Sequence, residues 1–175
     1  SIPSSLYEKI NDFNGRWVRV QSNTDIGYVF DCFVSKIPVF SFSDDCKSWL
    51  NYECFRRYAK KFGVLDSCVY NNCIESESFH TMEIFNLSGG HQLIFHTGWE
   101  GYAIEIQFSN IREIEGIMFS YNILSTLGVV NSKIMEAWKS SELINVIDFK
   151  LDDETCIFYF IRCKNKTIIK ISGGV

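Results

Sequence analysis

Two histidines and a methionine are the residues of this chain best suited to bind a metal-bearing ligand. They lie in two strand-like stretches on either side of a predicted turn at 88–90. Antiparallel pairing across that turn places Met82 opposite His96, so His80, Met82 and His96 share one face of the sheet. On an inner face they could ligate haem iron or cap a tetrapyrrole, whereas on an outer face they would be solvated surface residues.

Those three positions belong to a series of strand-like stretches joined by short, polar turns. The stretch at 47–61 could also be a helix, because it contains several Arg and Lys residues. After the eighth stretch, the sequence predicts one helix at about 131–143 and further strands within about 146–172. The eight stretches lie at about 15–22, 27–37, 47–61, 64–74, 77–87, 91–97, 101–109 and 115–122.

Eight sequential strands with short connections describe an up-and-down antiparallel meander. Closing such a meander into a barrel removes both edges of the sheet. The sequence therefore predicts an all-β protein with an eight-stranded barrel at about 13–124, followed by one C-terminal helix and an extra C-terminal strand pair. No linker or repeat interrupts the chain, so 1–175 is predicted to be a single domain.

The charge and the cysteine content of the chain limit which partners and which cellular locations we expect. A net charge of −4 gives no reason to expect nucleic acid or an anionic membrane, and no apolar run reaches transmembrane length. Seven cysteines without a CxxC motif, together with only three histidines, provide no zinc-binding spacing. They favour a disulfide-bearing protein that is secreted or lies in the lumen of a compartment.

The order of eight strands, one helix and further strands resembles that of a lipocalin. Gly15-Arg16-Trp17 resembles the G-x-W motif of the family's first strand. The segment from Thr97 to Tyr102 resembles the second motif, T-D-Y-x-x-Y, with two of its residues replaced. The third motif is an Arg at the end of the eighth strand, and Tyr121-Asn122-Ile123-Leu124 stands in its place. The resemblance implies a barrel that encloses a small hydrophobic ligand.

A closer resemblance is to the lipocalin domain of violaxanthin de-epoxidase. Phe13-Asn14-Gly15-Arg16-Trp17 and Phe30-Asp31-Cys32 are similar to its F-N-G-K-W and F-D-C, and 152–156 to the segment after its helix. Several lipocalins tie the second strand to the tail, which implies a disulfide between Cys32 and Cys156. The abundance of Asn, Lys, Ile, Tyr and Phe is typical of an AT-rich genome, and the chain also resembles the secreted lipocalin of malaria parasites.

The implied disulfide determines which side chains point into the barrel. Side chains alternate along a strand, so if Cys32 points out of the barrel, Asp31 and Phe33 point into it. Trp17, at the closed end of the barrel, also points in, and so does Arg19 two residues later. The predicted hairpin then sets Arg19 almost opposite Asp31. This pair could bind a ligand carboxylate or supply an acid, or it could be a buried salt bridge. A bulge in the first strand would turn Arg19 outward.

The resemblance predicts that the protein binds and transports a small hydrophobic ligand without chemistry. The candidates are a fatty acid or other lipid, and haem or another tetrapyrrole, handled in a parasite vacuole if the malarial likeness holds. An enzyme of de-epoxidase type that uses Asp31 is one alternative. A homo-oligomer with a filled barrel and an interface at the hairpin 155–172 is another. The predicted ligand-binding residues are Trp17, Arg19, Asp31, Phe33, His80, His96 and Tyr102.

Overall fold

The chain divides into two compact units, Ser1–Pro38 and Val39–Val175, each with antiparallel strands of its own. The prediction of a single domain over 1–175 stays a prediction. In the part of the chain that the structure describes, no helix is long and apolar enough to span a membrane. A computed structural model describes residues 8–10, 13–31, 34–38, 52–73, 79–98, 101–129, 134, 136, 142–151 and 154–174.

The N-terminal unit contains two short pairs of antiparallel strands. Its strands are β1 (Glu8–Ile10), β2 (Phe13–Gly15), β3 (Trp17–Gln21) and β4 (Ile26–Phe30). β1 pairs with β2, and β3 pairs with β4. The β3–β4 turn is closed by the backbone N–H of Ser22, which donates to the carbonyl oxygen of Asp25 at 2.8 Å. This turn determines which residues of the two strands face each other.

The larger unit is built on one seven-stranded antiparallel sheet, in the order β5-β6-β7-β8-β11-β10-β9. A helix, α1, precedes the sheet, and a second helix, α2, connects β8 to the last three strands. The elements are α1 (Tyr52–Phe62), β5 (Val64–Cys73), β6 (Phe79–Leu87), β7 (His91–Gly98), β8 (Gly101–Ser109), α2 (Glu113–Thr126), β9 (Ile144–Leu151), β10 (Glu154–Cys163) and β11 (Lys166–Gly174). Within the predicted helix at 131–143, the described residues Ile134 and Glu136 are helical.

Both helices pack on one face of this sheet, which we call the inner face. Phe119 of α2 lies 5.0 Å, ring to ring, from Phe108 of β8, and Phe55 of α1 lies 6.5 Å from Phe95 of β7. All four rings are buried, so aromatic contacts hold the helices on the sheet. Gly116 permits the close approach of α2, because a Cβ there would lie 2.8 Å from a side-chain carbon of β11.

Two of the predicted strands are helices in the structure. The stretch at 47–61 contains α1, in which Cys54, Phe55, Tyr58 and Ala59 are buried at helical spacing. The stretch at 115–122 lies inside α2, whose first turn is closed by the Glu115 side chain accepting from the backbone N–H of Arg112 at 3.0 Å. Both segments contain large apolar residues that suit either a strand or a buried helix.

The protein is mostly β, as predicted, but the described strands form an open sheet and not a closed barrel. β5 and β9 stand at opposite edges of the seven-stranded order and do not pair with each other. The C-terminal strands join this sheet directly, because β11 pairs with β8 along its whole length. β10 and β11 therefore lie inside the sheet, so the hairpin 155–172 is not an external appendage.

Candidate functional site

The face of the sheet opposite the helices, which we call the outer face, contains a connected line of polar side chains. His96 Nε2 lies 4.0 Å from Glu105 Oε2. The amide of Gln107 donates to Glu105 Oε1 at 2.5 Å and accepts from Lys166 Nζ at 3.1 Å. We call these four residues, which run diagonally from β7 across β8 to β11, the polar ladder.

Isoleucines flank the polar ladder on the outer face. In the strand register, Ile94 lies directly beside Glu105, and Ile84 lies beside Ile94 one strand further out. On the other side, Ile168 lies beside Gln107, and Ile161 lies next to Ile168. Ile94 is only 7% exposed. The outer face is therefore amphipathic, with the polar ladder between two short apolar strips, one of Ile84 and Ile94 and one of Ile161 and Ile168, and with Lys170 of β11 directly beside Glu105.

His96 and Glu105 form the polar ladder's ionisable pair. Their side chains are only 22% and 17% exposed, so both are partly withdrawn from water. In a ligand site, a carboxylate close to an imidazole orients the ring. The pair could hold a polar group or a metal centre of a molecule whose remaining surface is apolar.

The predicted alignment of His80, Met82 and His96 is confirmed by the strand register. Met82 is paired with His96, and His80 is paired with Asn72 of β5, which places all three on the outer face. His96 lies on the outer face with its side chain 22% exposed, and its role as a ligand-binding residue stays a prediction.

On the inner face, the aromatic residues fill a core. Phe95, Phe108 and Phe119 are all buried and contact aromatic rings of the helices or the sheet. Tyr102 is also on this face, and its hydroxyl donates to Glu154 Oε2 at 2.9 Å. Burial first, and then this hydrogen bond, raise the pKa of Tyr102 far above its ordinary value.

In the N-terminal unit, the predicted pair of Arg19 and Asp31 is wrong. The β3–β4 register pairs Arg19 with Tyr28, and Arg19 is exposed. Asp31 lies beyond the last strand pair and accepts hydrogen bonds from Arg16, through the backbone N–H at 2.9 Å and Nε at 3.2 Å. Gly15 is required beside it, because a Cβ there would lie 2.7 Å from Asp31 Oδ1.

Trp17, the residue predicted to close a barrel, lies next to an acidic partner within the same unit. Its indole Nε1 donates to Glu8 Oε2 at 3.0 Å, and its ring lies 5.5 Å from Phe30, edge to face. These contacts hold Trp17 at the start of β3 and give its N–H a partner. Phe33, the further predicted ligand contact, lies outside the described residues.

The disulfide predicted between Cys32 and Cys156 is not formed in the structure. Cys156 is a buried thiol whose Sγ donates to the carbonyl oxygen of Glu154 at 3.7 Å. Cys32 lies outside the described residues. Among the residues that the structure describes, no cluster of three or more His, Cys, Asp or Glu side chains is arranged to hold a metal ion.

Glu105, Gln107 and Lys166 were not identified as site residues from the sequence. The signal was the alternation in β8, where Glu105 and Gln107 are separated by the buried Ile106 and followed by the buried Phe108. That pattern predicts a polar row on one face, but the partner strand β11 was needed to bring Lys166 beside it.

Comparison of the chain with protein-family models, with curated proteins and with solved structures gives no match.

Proposed function

We propose that this protein binds and carries a small hydrophobic molecule with a polar or metal-bearing group, and that it performs no chemistry on it. The observation that carries the proposal is the partly buried pair His96–Glu105, set between isoleucine strips on the outer face. Apolar contact contributes about 25 cal/mol per Å² of buried area, and the pair determines the orientation.

Haem is the leading ligand. His96 supplies an imidazole, whose Nε2 is buried beside Glu105, and Met82 lies opposite His96 on the neighbouring strand. The porphyrin plane is apolar and suits the isoleucines of the outer face, while its two carboxylates suit the cationic end of the polar ladder at Lys166. A fatty acid is the second ligand, since it needs only the apolar strip and a cation.

The resemblance to lipocalins supports the same class of function, because members of that family bind small hydrophobic molecules. A secreted or lumenal location, in a parasite vacuole if the malarial likeness holds, belongs to this proposal. Direct evidence on location would come from tagging the protein in its own cell. A protein found only in the cytosol would contradict this part of the proposal.

Titration with ferric haem, followed in the Soret region, tests the site. The wild-type protein is expected to shift the band and to bind one haem per chain. His96→Ala should weaken binding by tenfold or more. Asp148→Ala, at an exposed position on the edge strand β9, should leave it within twofold of wild type. Equal affinities for all three proteins would contradict a site at His96.

A fatty-acid probe tests the wider class. Oleate should displace haem from the wild-type protein if both occupy the outer face, or bind alone if the natural ligand is a lipid. Replacing the partly exposed Ile168 by Glu places a charge in the apolar strip and should abolish binding of either probe, provided that the variant unfolds at a similar urea concentration. Failure of the wild-type protein to bind either probe would refute the proposal.

Self-association is a second candidate function, and one observation favours it. β9 is an edge strand of the described sheet, and it exposes Ile144 and Val146 by 52% and 51% on the outer face. The predicted interface residues Phe158 and Phe160 are instead buried on the inner face. A mass that rises with concentration and returns to the monomer value in Val146→Lys would support pairing through β9. A constant monomer mass would rule it out.

The de-epoxidase alternative has no such support. It requires Asp31 to act as an acid in an apolar pocket, whereas Asp31 is a quarter exposed and hydrogen-bonded to Arg16. Asp31→Asn should therefore leave the binding of haem unchanged.

A further inference from the structure

A cavity of about 500 Å³ lies at the start of α2, beside the turn that joins β10 to β11. It is lined by the connecting segment before α2 and by the whole of that turn. Four cationic side chains take part, and one carboxylate. The lining residues are Asn110, Ile111, Arg112, Glu113, Arg162, Cys163, Lys164, Asn165, Lys166 and Thr167. We call it the basic cavity.

The cationic side chains of the basic cavity outnumber its acidic ones by three, four cations against Glu113. Glu115 is not among the lining residues, but its Oε2 lies 3.4 Å from Arg112 Nε. Counting Glu115 as well still leaves an excess of two positive charges. The whole chain has a net charge of −4, so the basic cavity has the opposite sign of charge from the chain as a whole. Like charges gathered in a concave site raise the local potential and attract anions.

The walls of the basic cavity are held firmly by contacts on both sides. Arg162 is only 14% exposed, donates to Glu113 Oε1 and to the carbonyl oxygen of Glu142, and stacks over Phe160 at 4.8 Å. Across the cavity, the backbone N–H of Asn110 donates to the carbonyl oxygen of Asn165 at 3.1 Å. A preformed wall reduces the ordering cost of binding a ligand.

Size and charge together define the ligand that fits. A volume of about 500 Å³ is typical of a small-molecule site and exceeds what a chloride ion needs. Arg112 and Arg162 bring guanidinium groups to the wall, each with its Nε already beside a glutamate, while Lys164 and Lys166 add two point charges. α2 begins at Glu113, so its positive end also opens toward the basic cavity.

We propose that the basic cavity binds a soluble phosphate-bearing small molecule, through Arg112, Arg162, Lys164 and Lys166. This site is separate from the one proposed for the hydrophobic ligand, although Lys166 also ends the polar ladder through its bond to Gln107. A phosphate bound in the basic cavity would therefore compete with Gln107 for Lys166.

Inorganic pyrophosphate is the probe, because it has the charge of a phosphorylated ligand and no other recognition group. Its affinity is measured by calorimetry on the full chain, with sodium chloride at matched ionic strength as the control for screening. Lys164→Glu reverses one charge of the basic cavity, and Lys150→Glu makes the same change at an exposed site on β9. Lys164→Glu should weaken binding at least fivefold, and Lys150→Glu less than twofold.

The thiol of Cys163 provides a local readout. It is free, exposed and part of the wall of the basic cavity, so iodoacetamide should alkylate it, as followed by mass spectrometry of its peptide. Pyrophosphate should slow this alkylation in the wild-type and Lys150→Glu proteins, and at the same concentration should slow it less in Lys164→Glu. The proposal is overturned if wild-type alkylation is unaffected by pyrophosphate, or if both charge variants lose binding equally.

Vesicles distinguish a soluble ligand from a lipid headgroup. Phosphatidylcholine vesicles containing phosphatidic acid are sedimented with the protein. The proposal expects no co-sedimentation above that with pure phosphatidylcholine. Co-sedimentation that is lost in Lys164→Glu, without any affinity for pyrophosphate, would assign the basic cavity to a membrane and overturn the proposal.

Discussion

The inner and outer faces of the seven-stranded sheet are built from the same strands but have opposite chemistry. On the inner face, Phe95, Phe108 and Phe158 are buried against helices or neighbouring strands. On the outer face, isoleucines flank a line of polar residues that includes the half-buried His96 and Glu105. The inner face contributes to stability because it is filled. The outer face has the groups that a ligand would need.

The fifteen Phe residues of the chain could line a cavity or fill a core, and those described on the inner face fill a core. Aromatic side chains bury the largest area per residue, so they concentrate where helices must be held on a sheet. Isoleucine provides less packing area than an aromatic ring, but on the outer face it lies beside a partly buried charge that could orient a ligand. The predictions below test this division of roles, starting with the largest expected effect.

Adjacent isoleucines on β11 provide the sharpest test of the two faces. Ile169 is buried on the inner face, and Ile168 is partly exposed on the outer face. Ile169→Ala should lower the free energy of unfolding by about 2–5 kcal/mol, because it leaves a cavity in the core. Ile168→Ala should cost about 1 kcal/mol or less, since most of its lost contact is with solvent-exposed neighbours. Urea unfolding measures both, and equal losses would contradict the assignment of the faces.

A smaller effect is expected at Gly173, which lies beneath Tyr102 on the inner face. A Cβ at this position would lie 2.7 Å from the Tyr102 hydroxyl oxygen, so Gly173→Ala must displace the ring from Glu154. The expected cost is about 1–2 kcal/mol. Combining it with Tyr102→Phe, which removes the clashing oxygen, should cost less than the sum of the two single changes. Strict additivity in urea unfolding would argue against this contact.

The pH dependence of stability should contain a contribution from His91, on the inner face. Burial lowers the pKa of His91 below its ordinary value of 6.5, and Glu115 acts in the opposite direction. Below pH 6.5, His91 of the unfolded chain is protonated, whereas the buried His91 of the folded protein binds the proton less readily. The free energy of unfolding should therefore fall as the pH drops from 6.5.

The control for this contribution is His91→Gln, which has no imidazole to titrate. Urea unfolding of both proteins at several pH values should show a shallower decline below pH 6.5 in the variant. Identical slopes would show that burial of His91 has no consequence for folding. Nδ1 of His91 accepts from the backbone N–H of Ser109 at 3.1 Å, and the glutamine can partly replace that bond.

The smallest effect on stability is expected in the polar ladder. Glu105→Gln removes the charge beside His96 but keeps a group that can bond to Gln107. The free energy of unfolding should change by less than about 1 kcal/mol, as is usual for ion pairs that are not fully buried. The same variant should weaken haem binding more than it changes stability. A large loss of stability would make the polar ladder a structural feature.

Much of the larger sheet could be predicted from the sequence. Turn residues and alternating apolar residues located β5, β6, β7 and β8 to within a few positions, because local turn chemistry determines such hairpins. The sequence allows either a strand or a helix at 47–61, and it predicts a strand where α2 forms, because buried helices and strands have similar apolar content. The pairing of β11 with β8 joins residues far apart in sequence, and no local pattern encodes it.

The candidate site was predictable only in part. The alignment of Met82 with His96 followed from one short turn and is confirmed. The sequence predicted Arg19 as the partner of Asp31, whereas the partner in the structure is Arg16, three residues earlier. Arg16 lies next to the end of β4 once the turn at Ser22 is closed. Glu105 required knowledge of which face the helices cover, and that is a property of packing across the whole unit.

The most direct test of the central claim is methyl NMR of the isoleucine-labelled protein during titration with ferric haem. The paramagnetic iron broadens signals from nearby methyl groups, and the chain has isoleucines on both faces. A ligand site on the outer face predicts broadening of Ile84, Ile94 and Ile168, with Ile104, Ile106, Ile169 and Ile171 on the inner face unchanged. Broadening centred on the inner-face residues, or none at saturating haem, would contradict it.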